Sequence, residues 1–292
     1  MSQVTRISVL GAGTMGRGIA QLAAQNGISV GLFDVAPKVL AEAEQAIRAQ
    51  LTRMVEKGKL SAAEGEAAGG RVEPGTDLES ACSDAQIVIE AAPEQMALKI
   101  DLMTRAKGCV SPEALLASNT SSLSLTELGN SIAAPERTVG LHFFNPPPVM
   151  PLLEIVRGLG TSEDTIQRAL AFARQIQKEP IVVNDFPGFA SSRLGVALGA
   201  EAIRMLESGV ALAQDIDRAM ELGYRHPMGP LKLTDLVGLD VRLAILEHLH
   251  REVGDQFRPP TLLRQMVRAG RIGKKVGLGF YRWTPEGPVA VD

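Results

Sequence analysis

The sequence is poor in the residues that build metal centres and disulfide frameworks. It has two cysteines, Cys82 and Cys109, and four histidines, His142, His226, His248 and His250. Neither cysteine belongs to a paired motif, which leaves a disulfide-stapled or zinc-bound design without support and suits a reducing compartment. His248 and His250 stand two apart on an expected helix and so point to different faces, and no metal site is expected. A concentrated block of lysine and arginine is also missing, with a formal net charge of −3. A nucleic-acid partner would leave a basic footprint, and none is present. The longest apolar stretches have the length of strands, too short to span a bilayer. Residues 1–10 lack a charged-then-apolar leader with a small-residue cleavage site. Together these absences lead us to expect a cytoplasmic protein without a membrane partner.

What is present is enough for two domains. The chain has 292 residues, 45% of them hydrophobic, sufficient for a sizeable core without covalent staples. Its first part alternates strand and helix signals. Short apolar runs at 7–10, 29–33, 86–89, 115–118, 138–142, 153–156 and 181–183 read as strands. Helices are expected over 14–25, over 37–57 behind Pro37, and after the capping box of Ser61 and Glu64. Such alternation predicts a mostly parallel sheet covered by helices. After Asn184 the pattern turns helical, with helices expected around 194–205, 215–222, 240–253 and 261–269. The predicted architecture is α/β: a dinucleotide-binding domain over 1–184, then an all-helical domain over 185–292.

Residues 11–16 read GAGTMG, placing Gly11, Gly13 and Gly16 on the pattern G-x-G-x-x-G, with Thr14 and Met15 inside it. Alone the pattern is weak. Here it follows a strand, opens a helix, and is answered by Asp34 at the end of the next strand, as a Rossmann-like fold requires. Gly11 permits the tight turn, Gly13 lets backbone approach a pyrophosphate, and Gly16 lets the helix pack on the sheet. Asp34 can accept hydrogen bonds from ribose hydroxyls and repels a 2′-phosphate, so NAD is expected over NADP.

Three further segments carry polar residues in unusual places. A tract from Ser118 to Ser122 follows a strand, His142 ends a strand, and Glu154 interrupts an apolar one. On pattern alone His142 fits either a structural histidine or an acid–base group. Glu154 fits either an edge residue facing solvent or the partner of that histidine.

The strings SNTSSLS (118–124), HFFNPPPVMPLLEIV (142–156), PGFASSRL (187–194), HPMGPLKLTDLVGLD (226–240) and GKKVGLGFY (273–281) together resemble the 3-hydroxyacyl-CoA dehydrogenase family, its 3-hydroxybutyryl-CoA branch in particular. The resemblance runs from Ile7 to about Trp283. It implies reversible NAD-dependent oxidation of an L-3-hydroxyacyl-CoA and a C-terminal domain that carries substrate contacts and forms a homodimer. It makes His142 the catalytic base, Glu154 its acidic partner, and Ser121 a donor to the substrate oxygen. It assigns Glu94, Lys99, Asn145 and Lys275 to NAD and Lys57 to the CoA moiety. Ser192 stands where the family commonly has asparagine, so its place among the catalytic residues is the weakest match. Pro93 departs in the loop that meets the nicotinamide. Two alternatives stay open: a dehydrogenase of a free hydroxy acid, of the sugar-acid or carnitine type, and a non-catalytic cofactor-binding protein, as lens crystallins of similar sequence are.

Overall fold

The computed structural model describes residues 3–291, which divide into two compact units, one ending at Phe186 and the other beginning at Pro187. The first unit is built on eight strands: β1 (Arg6–Leu10), β2 (Ser29–Phe33), β3 (Val72–Gly75), β4 (Ile87–Glu90), β5 (Leu115–Ser118), β6 (Thr138–Phe143), β7 (Leu152–Arg157) and β8 (Glu179–Asn184). They form one sheet in the order β3-β2-β1-β4-β5-β6-β7-β8, parallel except where β6 meets β7. The helices between them are α1 (Thr14–Gln25), α2 (Pro37–Glu56), α3 (Ala62–Gly70), α4 (Leu78–Cys82), α5 (Met96–Gly108), α6 (Leu125–Ser131) and α7 (Glu163–Gln175).

The central strands are buried along nearly their whole length because helices cover both faces, so they read as continuous apolar runs rather than as alternation. The helices show the complementary pattern. α2 buries Leu40, Ala43, Ile47 and Leu51, spaced three or four apart, and α7 buries Ile166, Ala169, Phe172 and Ala173. These side chains join Ile7, Val9, Ile87, Leu115 and Leu141 in one core. Strand order reverses between β1 and β4, and the crevice beyond the carboxyl ends of these strands is where open α/β sheets take ligands.

The second unit packs α8 (Ser191–Glu207), α9 (Ala213–Arg218), α10 (Pro230–Val237), α11 (Leu239–Glu252) and α12 (Thr261–Arg268) around Val196, Ile203, Leu231, Leu246, Leu249 and Leu263. It closes with an antiparallel hairpin of β9 (Tyr281–Thr284) and β10 (Gly287–Ala290). The hairpin departs from the all-helical expectation, and β3 in the first unit is likewise an addition. Both are four-residue strands, too short for an alternation that periodicity could reveal. Among the described residues no helix is long and apolar enough to cross a membrane, and no group of three His, Cys, Asp or Glu side chains could hold a metal ion.

Candidate active site

The glycine loop lies between β1 and α1. Gly11 has φ of +104°, in the left-handed region, and its amide donates to Phe33 O at 2.8 Å, tying the loop to the end of β2. A Cβ on Gly16 would stand 1.7 Å from Gly11 O, so α1 can start this close to the loop only without a side chain there. Gly13 is different. A Cβ there would meet nothing within 4 Å, which leaves open space directly over the helix start. Gly13 is also the N-cap of α1, with no side-chain cap and no acid in the first turn. The helix therefore presents its first N–H groups and the positive end of its dipole to that space, an arrangement that suits a pyrophosphate. Asp34, just past β2, accepts from Ala12 N at 2.9 Å through Oδ2 and from Ala36 N at 3.0 Å through Oδ1. These bonds fix the carboxylate beside the loop, and each oxygen keeps a second lone pair for a ribose hydroxyl. Val35 follows it, 77% exposed, an apolar surface beside the carboxylate. The residues present therefore fit a dinucleotide.

A buried charge network lies under the next two strand ends. Glu90, the last residue of β4, is fully buried, and Lys99 of α5 is nearly so. Lys99 Nζ donates to Glu90 Oε1 at 2.7 Å and lies 3.1 Å from Glu94 Oε2. Glu90 also accepts from Ala92 N at 2.6 Å and from Ser118 Oγ at 2.5 Å. Glu94 accepts from Thr120 Oγ1 at 2.5 Å, Ser121 N at 3.0 Å and Ser122 Oγ at 3.2 Å. Burial acts to raise the pKa of Glu94, but the Lys99 ammonium and these donors together hold it below its ordinary value. The polar tract after β5 is thus clamped by Glu94, which is itself held by Lys99. Lys99 accordingly points into the protein, onto Glu90 and Glu94. Sequence reasoning missed Glu90 and Thr120. An acid in an otherwise apolar strand, the signal that singled out Glu154, is also present at Glu90, at the end of β4.

His142 and Glu154 are brought together by main-chain register. They sit directly opposite one another across the antiparallel β6–β7 pair, with His142 Nδ1 and Glu154 Oε2 2.7 Å apart. Glu154 is fully buried and His142 is 7% exposed. The Phe144 ring lies against the imidazole with centroids 4.6 Å apart. Ser118 pairs with Gly140 in the β5–β6 register, so His142, two residues further along, is level with the polar tract. Asn119 Oδ1 accepts from Phe143 N at 2.9 Å and ties the tract to the end of β6. The following loop exposes Asn145, whose bond to Pro146 is cis, and is anchored by Lys178, whose ammonium donates to Pro147 O at 2.6 Å and Met150 O at 2.7 Å.

A groove of about 440 Å³ runs from Thr14 along α1 and α2 to this loop, lined by Arg17, Gln21, Gln50, Arg53 and Asn145 among others, with no acid on its wall. Lys57, exposed at the C-cap of α2, stands four residues after Arg53 and so near it on the helix surface. Arg17 and Arg53 carry no motif of their own, and only the fold places them on one groove.

Two site positions inferred from the resemblance belong to the second unit. Ser192 lies, half-buried, in the first turn of α8. Lys275 Nζ is paired with Asp240, 2.7 Å from Oδ1 and 2.5 Å from Oδ2. The motifs of this unit are pinned to one another by two buried acids. Asp217 accepts from Leu231 N and Lys232 N, capping α10 from outside, and from the Tyr281 hydroxyl. Asp235 accepts from Phe280 N, Tyr281 N and the Trp283 indole. Burial raises the pKa of both acids against the pull of these donors.

A glycine loop at the switch point of a doubly wound sheet, a carboxylate held beside it and a buried imidazole–carboxylate pair fit a dinucleotide-binding protein equipped to move a proton. Comparison with known proteins gives the particular family. Residues 6–186 match the family model for the 3-hydroxyacyl-CoA dehydrogenase NAD-binding domain, and 188–283 match the model for the C-terminal domain. The chain is 45% identical over 280 residues to the "Probable 3-hydroxybutyryl-CoA dehydrogenase" of Bacillus subtilis, covering 96% of this chain and 97% of that one. It is 41% identical over 283 residues to the 3-hydroxybutyryl-CoA dehydrogenase of Mycobacterium tuberculosis, covering 96% and 99%. The solved structure of (S)-3-hydroxybutyryl-CoA dehydrogenase from Ralstonia eutropha superposes with a TM-score of 0.93 at 39% identity, covering 97% of this chain and all of that one. The chain belongs to the 3-hydroxyacyl-CoA dehydrogenase family.

Proposed function

We infer that this protein oxidises L-3-hydroxyacyl-CoA thioesters to 3-ketoacyl-CoA with NAD, and runs the reverse reduction, using His142 as the acid–base group. The observation that carries the reading is the buried His142–Glu154 pair beside the polar tract on a sheet whose glycine loop fits a dinucleotide. With Nδ1–H donating to Glu154, the imidazole holds its lone pair on Nε2. That nitrogen takes the hydroxyl proton, and the carboxylate stabilises the imidazolium that forms. In the reverse direction the protonated ring donates to the 3-keto oxygen, and Ser121, held by its amide on Glu94, adds a hydrogen bond to the same oxygen. NAD, when bound at Gly11, Gly13, Gly16 and Asp34, supplies the hydride acceptor.

The groove with Arg17 and Arg53 supports a CoA ester over a free acid. Two guanidiniums and the nearby Lys57, with no acid on the wall, suit the phosphates that only the thioester brings. In the same reading the protein is a homodimer through its second unit, which exposes Leu194, Leu222 and Tyr224, each more than two-thirds accessible. The decisive experiment follows NADH absorbance with 3-hydroxybutyryl-CoA and with free 3-hydroxybutyrate. Turnover of the thioester and little of the acid is expected. Preference for the free acid would overturn the substrate class, and no NADH from any hydroxyacyl substrate would overturn catalysis itself.

A further inference from the structure

Lys178 is a buried cation held by main-chain carbonyls. It stands where α7 gives way to β8. Gln177, at φ +58°, ends the helix in the left-handed region, and the amides of Gln177 and Lys178 close back onto Arg174 O at 3.0 Å and Ala173 O at 2.9 Å. The residue after such a left-handed turn usually packs an apolar side chain against the last turn of the helix. Here it is a lysine, 6% exposed, whose ammonium donates to Pro147 O at 2.6 Å and Met150 O at 2.7 Å. Burial draws its pKa below the ordinary lysine value, and no carboxylate acts in the other direction. A buried ammonium without a counter-charge is costly, and a methionine would fill similar space without that cost. The lysine is therefore explained by what its N–H groups hold.

They hold a loop that is short of donors. Pro146, Pro147, Pro148 and Pro151 leave most of the connection from Asn145 to Pro151 without amide N–H groups. Of the amides that remain, those of Val149 and Met150 both turn onto Pro146 O. The carbonyls of Pro147 and Met150 take their donors from Lys178 instead. The same loop meets α1. A Cβ on Gly18 would stand 2.7 Å from Pro147 Cδ, so helix and loop are in close contact there. Pro147 and Asn145 line the groove that also carries Arg17 and Arg53. Lys178 thus grips one wall of the arginine groove. A carbonyl oxygen committed to it is withheld from the groove, where it would repel a phosphate.

We propose that Lys178 is a positioning residue for the nucleotide portion of the substrate: by holding Pro147 and Met150 it sets the loop against α1 and so fixes the shape of the groove that receives the CoA phosphates. The inference rests on the dehydrogenase reading and the groove assignment above, and adds the residue that shapes the groove. It separates binding from chemistry, because the His142–Glu154 pair is set by the β6–β7 register and not by this loop.

The test compares 3-hydroxybutyryl-CoA with 3-hydroxybutyryl-pantetheine, which has the same acyl group and thioester without the phosphates. The parent is expected to favour the CoA ester in kcat/KM. Lys178→Met should lower that preference by about 10- to 100-fold, the scale of a misplacement near 1 Å. The loss should fall on KM for the CoA ester, with kcat on either ester near the parental value. Lys178→Arg, which keeps charge and donors, should restore part of the preference. Gly18→Ala reaches the loop from the other side, at a helix position where alanine is favoured. With Lys178 in place it should lower the preference in the same way, and it decides the matter if Lys178→Met does not fold: an unchanged preference there then overturns the proposal. In a folded Lys178→Met an unchanged preference also overturns it, whether both activities persist or fall together with the Tm, and assigns Lys178 to packing. Equal use of the two esters by the parent overturns the proposal and leaves the dehydrogenase reading standing, whereas no NADH from either ester overturns that reading as well.

Discussion

Replacing Glu154 with glutamine tests the acid–base assignment most directly. Glutamine keeps the size of the side chain and can still accept from His142 Nδ1, so the 2.7 Å contact survives as a neutral hydrogen bond. What disappears is the charge opposite the imidazolium. Two unit charges about 4 Å apart interact by roughly 4 kcal/mol at an effective dielectric constant near 20. At about 1.4 kcal/mol per decade that is up to roughly a thousandfold in rate. Some of it is recovered by relaxation of the buried site, so a fall in kcat of about 100- to 1,000-fold is expected. Stopped-flow or steady-state NADH formation at saturating 3-hydroxyacyl-CoA measures it, with NAD affinity and Tm expected to stay near the parental values. The pair acts as a unit, so Glu154→Gln added to His142→Ala should cost little beyond His142→Ala alone. A glutamine variant within threefold of the parent, or full additivity in the double variant, would refute the two residues as one acid–base unit.

The two inner glycines should separate binding from folding. Gly13→Ala should melt like the parent but bind NAD more weakly, since its Cβ enters space the protein leaves open, whereas Gly16→Ala should lower the Tm markedly because its Cβ meets Gly11 O; calorimetric NAD titration and thermal melts distinguish them. Asp34→Asn should narrow the ratio of kcat/KM for NAD to that for NADP, mainly through KM, and an unchanged ratio would displace Asp34 from the ribose. The depressed pKa of Glu94 predicts a stability contribution present above its ordinary value of 4.5 and lost as the pH falls through its lower folded value. The Tm gap between the parent and Glu94→Gln should therefore be full at neutral pH and close on acidification, and a gap that widened in acid would reverse the sign of the argument.

The sheet and the glycine loop were legible because both write themselves into local pattern. Buried parallel strands leave apolar runs, and the loop–helix–acid spacing is set by the geometry of one strand-turn-helix unit. His142 and Glu154 were legible as oddities, a polar residue in an apolar strand, but their pairing depends on the β6–β7 register, which no local spacing announces. The groove of Arg17 and Arg53 was invisible for a related reason. It joins two helices across a turn, and arginine on a helix face is ordinary surface composition. Lys99 illustrates the opposite difficulty. Its matched motif suggests a cation for the cofactor, yet the structure turns it inward onto Glu90 and Glu94, a direction fixed by the buried acid at the end of β4. The closing hairpin escaped notice because its order comes from Asp235, some 45 residues upstream.

Because the β6–β7 ladder, and no loop, sets the distance between His142 and Glu154, the proline-rich connection from Asn145 to Pro151 is released from holding the pair. Insertions or deletions there are tolerable as long as the strands re-pair in phase, while a slip of β7 by one residue would turn Glu154 to the other face of the sheet, away from His142. The pair also inherits the lifetime of the sheet. To part the imidazole from its carboxylate by main-chain motion, the protein must open a ladder buried on both faces. The amides of Leu141, His142 and Phe143 are then expected to exchange with deuterium only through global unfolding, and the proton-transfer geometry should persist up to the melting transition.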